Sequence, residues 1–250
     1  MRDGGSLSGQ MRSLANVLIK ALPGEQRELA ARLFTDDVAR RWIEYRPLPR
    51  PGARLADMSL EARKAAHQLL ATGLSEHTFA QAMGIIALEE VLDLRERGQR
   101  GRHGGNYWVS VYGDPAGGDP WSWRFEGHHL SVTMTVAGDE VSPAPVFLGA
   151  NPACVAYHGR AVSRPLAPEE DMAREVLSAL NQSSGRPRWS RTRLPTTSAA
   201  RQGRARLSTS SRPASPPPGW RARRVRRWAG WSCSTSTGWR LSWPPAKRHG

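Results

Sequence analysis

The fold turns on one stretch, Trp121-Ser-Trp-Arg-Phe-Glu-Gly-His-His-Leu-Ser-Val-Thr-Met-Thr-Val136, which joins the strongest strand pattern in the chain to its densest group of ligand-type side chains. In strict alternation Trp121, Trp123 and Phe125 share a face with His129, Ser131, Thr133 and Thr135, while Leu130, Val132, Met134 and Val136 point the other way. The apolar set therefore changes sides at Gly127. One extra residue at Gly127-His128, a β-bulge, restores a continuous apolar face within a single strand, and glycine supplies backbone angles that bulges use. The bulge would put Arg124, Glu126 and His129 on one polar face, with His128 at the kink. A strand buried on both faces gives the same pattern.

Upstream, Met11, Leu14, Val17, Leu18 and Leu22 recur at helical spacing, and Pro23-Gly24 separates them from a second helix expected over Glu25 to Phe34. Arg41 to Tyr45 alternates as a short strand before Pro47, Pro49 and Pro51 impose an extended loop. A second helical hairpin follows, capped by Ser59 and by Ser75 and closed at Gly73 and Gly98. Tyr107 to Tyr112 reads as a strand antiparallel to the 121–136 stretch. Gly138-Asp139 reads as a turn and Val146 to Leu148 as a further short strand. Pro168 with Glu169, Glu170 and Asp171 marks a helix start, and Met172, Val176, Leu177 and Leu180 give that helix an apolar stripe. Helices, then antiparallel strands, then a helix is an α+β order.

The chain has a formal net charge of +14, and the charge is unevenly placed. Ser183 to Gly250 holds 16 of the 36 Lys and Arg and none of the 22 Asp and Glu, whereas residues 1–182 are nearly neutral. Two regions follow: an α+β domain over 10–182, and a basic low-complexity tail over 183–250 expected to be disordered. Two cysteines, Cys154 and Cys233, offer neither a disulfide framework nor a zinc-type pair, and Leu14 to Leu22 lacks a cleavage signal. Both point to a reducing, cytoplasmic setting. No apolar run reaches the length of a membrane span, so no membrane partner is expected.

Two further segments occur in order after Trp121 to Ser131 of the central one: Pro145-Val-Phe-Leu-Gly-Ala-Asn-Pro-Ala153 and Arg164-Pro-Leu-Ala-Pro-Glu-Glu-Asp171. Together they resemble the bacterial domain of unknown function 3500 family, over about Ala30 to Asn181. The resemblance implies no established activity. It implies instead a longer chain, because family members continue into a portion with further histidines that this tail does not resemble. A 68-residue segment of ordinary composition holds about eight acids, and this one holds none; it carries six of the ten tryptophans. Reading Thr192 to Ala199 and Trp231 to Arg240 one nucleotide earlier, with GC-rich codons, restores acids and helical periodicity together. The tail is thus expected to be an out-of-frame translation, leaving a truncated domain. The alternatives are a basic arm that binds nucleic acid non-specifically and a membrane-surface segment.

For chemistry, Glu126, His128 and His129 are the residue types that hold a divalent metal such as zinc, iron or manganese. Glu126 and His129 are also the candidate catalytic acid/base pair, and Arg124 and Arg164 are candidates to hold an anionic small molecule. Against these stands a plain structural reading, in which Arg124 pairs with Glu126 and the histidines fill a hydrogen-bond network. Cys154 has no identifiable base beside it and reads as a buried small hydrophobe. Nucleotide-binding glycine loops and the serine-hydrolase motif are missing from the sequence. The expectations are a metal-dependent enzyme, a module binding a small anionic ligand without catalysis, or a nucleic-acid binder acting through its tail.

Overall fold

The structure, a computed structural model, describes residues 5–184. The tail, and with it the expectation of disorder after Gln182, lies outside the described residues except for its first two positions. Helix α1 (Leu7–Ala21) opens the chain, followed by α2 (Gly24–Ala30), β1 (Ala31–Arg32), α3 (Asp37–Arg41) and β2 (Ala53–Arg54). Helices α4 (Leu60–Thr72) and α5 (Glu76–Glu96) form the expected hairpin. Their caps are those read from the sequence: Ser59 Oγ accepts from Ala62 N at 3.2 Å and Ser75 Oγ from Thr78 N at 3.1 Å, satisfying amide donors that the first helical turn leaves unpaired.

Strands β3 (Tyr107–Tyr112), β4 (Trp121–Gly127), β5 (Leu130–Ala137), β6 (Glu140–Ser142) and β7 (Val146–Leu148) follow. They build a seven-stranded sheet in the order β1-β3-β4-β5-β6, with β2 pairing β3 and β7 pairing β5. Every pairing is antiparallel except that of β1 with β3, which makes the sheet mixed. A two-stranded ribbon, β8 (Val155–Tyr157) and β9 (Arg160–Ser163), stands apart from this sheet.

The bulge expected at Gly127 does not occur. The 121–136 stretch is not one strand but a hairpin, in which Gly127 pairs with Leu130 across a two-residue turn, His128-His129. A hairpin with a two-residue turn pairs an odd-numbered residue with an even-numbered one. Trp121 meets Val136, Trp123 meets Met134, and Phe125 meets Val132. The switch of apolar parity is therefore the chain reversal itself. His129 adopts φ +57°, the left-handed conformation that tight turns require and that glycine or asparagine usually supplies.

One face of the hairpin carries Trp121, Trp123, Phe125, Val132, Met134 and Val136, all buried in a core shared with α1, α4 and α5. The approach is close: a Cβ on Gly73, at the end of α4, would lie 2.8 Å from Met134 Cε and 3.0 Å from the Trp123 ring. The other face carries Ser122, Arg124, Glu126, Ser131 and Thr133, with Ser110 of the neighbouring β3 beside them, and it too is buried. Residues 36–52 cover it. This segment contains α3, not the strand expected over Arg41 to Tyr45, and the helix expected to reach Phe34 ends at Ala30, with β1 beginning at Ala31. Proline at 47, 49 and 51 keeps the rest of the segment out of the sheet ladder.

The last helix, α6 (Ala167–Ser184), begins where the acids at 169–171 predicted. Its apolar stripe is not buried: Met172, Val176, Leu177 and Leu180 are all exposed. None of the described helices is long and apolar enough to cross a membrane.

Candidate functional site

Two clefts flank the proline-bearing segment. The first, of about 500 Å³, is lined by Arg32, Val38, Trp42, Arg50, Arg124 and Glu126 among others. At its base Glu126 Oε2 lies 2.8 Å from Arg124 and 3.3 Å from Arg50, with all three side chains almost wholly buried. Arg124 also donates to the carbonyls of Ala39 and Trp42, and to Ser131 Oγ at 3.3 Å. Arg50 donates to Leu48 O at 2.6 Å and Glu44 O at 3.0 Å. The two guanidinium groups thus satisfy the inward carbonyls of a segment that has no ladder of its own. Burial raises the Glu126 carboxyl above its usual range, and the two arginines oppose that shift.

The second cleft, of about 430 Å³, is lined by Pro47 to Pro49 on one side and by Arg54, Arg100, Arg102, Asn106, Trp108, Glu89 and His128 on the others. His128 and Glu89 are in hydrogen-bond contact through Nδ1 and Oε1. Arg102 NH1 lies 3.3 Å from the same Nδ1, so this nitrogen sits between a carboxylate and a guanidinium group. Tyr107 Oη donates to the His128 carbonyl at 2.8 Å, which fixes the turn from below. Arg102 reaches Glu96 at 2.5 and 2.8 Å, holding that carboxyl below its usual range, and its NH1 lies 3.7 Å from Glu89. Arg54 donates from Nε to Asn106 Oδ1 at 3.0 Å. At the rim the Arg54 and Arg100 side chains, 38% and 66% exposed, pair with Asp57 at 3.5 Å and with Glu96 at 3.8 Å and keep a solvent-facing side.

Residues 5–219 match the family described as "Protein of unknown function (DUF3500)". The chain belongs to that family. No curated protein and no solved structure matches it. The family match reaches beyond Asn181, where the motif-by-motif likeness ends, and takes in part of the basic tail.

Within this domain of unknown function 3500 the hairpin separates the residues that the sequence had grouped. Glu126 and Arg124 face the first cleft, whereas His128 lines the second. His129 lines neither; its backbone N donates to Tyr45 O at 3.1 Å and its carbonyl accepts from Gly149 N at 2.8 Å. Burial, and then His128 beside it, lower the His129 imidazole below its usual value. The two histidine rings lie 4.3 Å apart, centroid to centroid. Among the described residues no group of three or more His, Cys, Asp or Glu is placed to hold a metal ion, so Glu126, His128 and His129 are not assembled as a ligand set. Arg164 is half-buried after β9 and lines neither cleft, and Cys154 is half-buried and not a core residue.

Sequence reading missed Glu89, Arg102, Arg54 and Arg50. A signal for Glu89 was present. It falls at helical spacing between Ile85, Ile86 and Leu92, all buried, and a carboxylate inside a buried stripe requires a partner. The arginines gave none, since their role depends on which loop carbonyls and carboxylates the fold brings to them.

Proposed function

We propose that this member of the domain of unknown function 3500 family binds a small anionic molecule in the second cleft, the rim arginines Arg54 and Arg100 holding the anion against Asn106, Trp108 and His128. The observation that carries this reading is the convergence of three arginines and one histidine on a cleft whose lining contains a single carboxylate, Glu89. Arg102 is engaged by Glu96 and Glu89 and positions the base of the cleft. Arg54 and Arg100 supply the net positive potential, and charge-assisted bonds to an oxyanion are the strong contacts such side chains make. Titration of the full chain with inorganic phosphate and with succinate, followed by calorimetry, tests it. Arg54→Gln with Arg100→Gln should weaken binding of the preferred probe about tenfold or more, with the fold intact because both side chains lie at the surface. Binding unchanged in the double variant sinks the proposal.

A second reading keeps the expected metal-dependent chemistry at the hairpin turn, and the adjacency of the His128 and His129 rings favours it. Its check is the metal content of the purified chain beside that of His128→Ala and Glu126→Gln. A stoichiometric metal lost in both variants supports it, and the same metal content in all three refutes it.

We also propose that the chain beyond Ser183 is read out of the family's frame, on the absence of any acid from Ser183 to Gly250. The family match to residue 219 weighs against this. The nucleotide sequence decides: a one-base insertion or deletion near codons 180 to 190 that restores a family-like continuation supports the proposal, and no such alternative frame ends it.

A further inference from the structure

The first cleft has features that the stapling of residues 36–52 leaves unexplained. Ser122 and Thr133, 0% and 1% exposed, lie on the polar face of β4 and β5 without lining the cleft, and neither hydroxyl has a hydrogen-bond partner among the described residues. Arg32 Nε and Arg124 Nε, on two residues that line the cleft, are likewise buried without a partner among the described residues, whereas Arg50 Nε faces Glu126 Oε2 at 3.3 Å. A buried donor without an acceptor is costly, so the unpartnered guanidinium nitrogens at the cleft are a demand for a polar occupant. The apolar face is not free of such groups, since the Trp121 and Trp123 indole nitrogens are also buried without a partner among the described residues, but only Arg32 and Arg124 present theirs at this cleft.

The lining states what that occupant is. Arg32, Arg50 and Arg124 face Asp36 and Glu126, one cation in excess, which suits a monoanion. Arg32 is one-third exposed and stands where a solute meets the site first. Glu126 offers a carboxylate acceptor for a hydroxyl. Val38 in α3 and Trp42, the residue that follows the helix, both line the cleft and are 80% and 60% exposed. An exposed indole beside buried polar groups provides a flat apolar surface for the C–H face of a ring whose edges carry hydroxyls. We propose that this cleft binds a hydroxylated monocarboxylate of sugar-acid type, its carboxylate on Arg32 and Arg50, its hydroxyls on Glu126, and its ring on Trp42.

The site is separate from the second cleft: the two share no lining residue, and Arg50 and Pro51 face one while Pro47 to Pro49 face the other. The test therefore uses the full chain carrying Arg54→Gln and Arg100→Gln, which removes the rim of the second cleft. D-glucuronate, D-glucose and acetate are titrated separately by calorimetry; the latter two offer hydroxyls without charge and charge without hydroxyls. The expected result is saturable glucuronate binding, about tenfold tighter than either control. Trp42→Ala, at an exposed position, and Arg32→Gln, at a partly exposed one, should each weaken it about fivefold or more. No saturable glucuronate binding means that ordered water alone serves the unpartnered groups, and overturns the proposal. So does binding that either substitution leaves unchanged, or equal affinity for glucuronate and acetate.

Discussion

The two faces of the β4–β5 hairpin are buried to the same degree and held by opposite means. On one, Trp123, Phe125, Val132 and Met134 interlock with the helices, and burial of apolar surface supplies the stabilisation. On the other, Arg124, Glu126 and Arg50 bind a coil segment through its carbonyls and through one another. The first face tolerates exchange of one apolar side chain for another of like volume. The second does not, because each charge there depends on a named partner. Alternation of polar and apolar residues is commonly taken to mean that one side of a sheet meets water. Here the polar side meets a strap, and its regular charges are internal fastenings.

The sharpest way to break this comparison is to remove Arg124. Arg124→Met keeps the length of the side chain, but it leaves the Ala39 and Trp42 carbonyls without their donor and Glu126 with Arg50 alone. Breaking one partner out of a buried charged cluster costs about 3–5 kcal/mol. Trp123→Ala, on the opposite face, should cost about 3–5 kcal/mol by loss of contact and by the cavity left behind. Denaturant midpoints of the two variants therefore fall together. If Arg124→Met loses less than about 1 kcal/mol, the strap is held by something else and the two faces are not equivalent.

A smaller effect is expected at Gly127, where the hairpin enters its turn. An added Cβ there would run into the Tyr107 ring, whose hydroxyl anchors the His128 carbonyl. Gly127→Ala should cost about 1–3 kcal/mol by overpacking, and it should disturb the second cleft more than the first, because His128 lines only the second. Phosphate binding lost while glucuronate binding persists would sharpen the separation of the clefts. Loss of both would show that the turn organises both faces.

The elements that could be read in advance are those whose signal is local. The Ser59 and Ser75 caps, the β3–β4 pairing and the start of α6 follow from side chains near in sequence to the backbone they serve. The hairpin was half legible. Its parity switch was plain, but His128-His129 lacks the Asn-Gly or Asp-Gly signature of a two-residue turn, and Gly127 one place earlier invited a bulge. The pairing of Arg124 with Glu126 could be foreseen from two residues on one face of a strand. The convergence of Arg50, Arg102 and Glu89 could not, because their contacts span loop closures that no pattern in sequence encodes.

The strap also carries an acid-sensitive contact that distinguishes it from the helical side. Arg46, beside Glu44, holds that carboxyl at about 2, below its ordinary 4.5. A carboxyl lowered in the folded state contributes stability that is present above pH 4.5 and is lost as the pH falls through about 2. Wild type should therefore be more stable than Glu44→Gln at neutral pH, and the gap should close on acidification across that window. Arg46 is 59% exposed, so screening keeps the gap small. Denaturant midpoints at neutral pH and at the two ends of the window measure it, and a gap that does not change with pH removes Glu44 from the strap's fastening.

The smallest expected effect lies in the turn, and there the sign matters more than the size. His129 sits at φ +57°, a conformation that costs an L-residue about 1–2 kcal/mol. Glycine relieves that strain but returns freedom to the unfolded chain, worth about 0.4–1 kcal/mol. His129→Gly should therefore stabilise the protein by a few tenths to about 1 kcal/mol, unless the half-buried ring has a packing role against Tyr45, whose ring centroid is 6.1 Å away. The same variant separates the two faces functionally. His129 lines neither cleft, so phosphate and glucuronate titrations should match those of the parent chain. A variant that gains stability and keeps both titrations makes His129 a strained turn residue only. One that gains stability and loses a titration shows that the strain is retained for chemistry, and returns His129 to the catalytic role its place beside His128 first suggested.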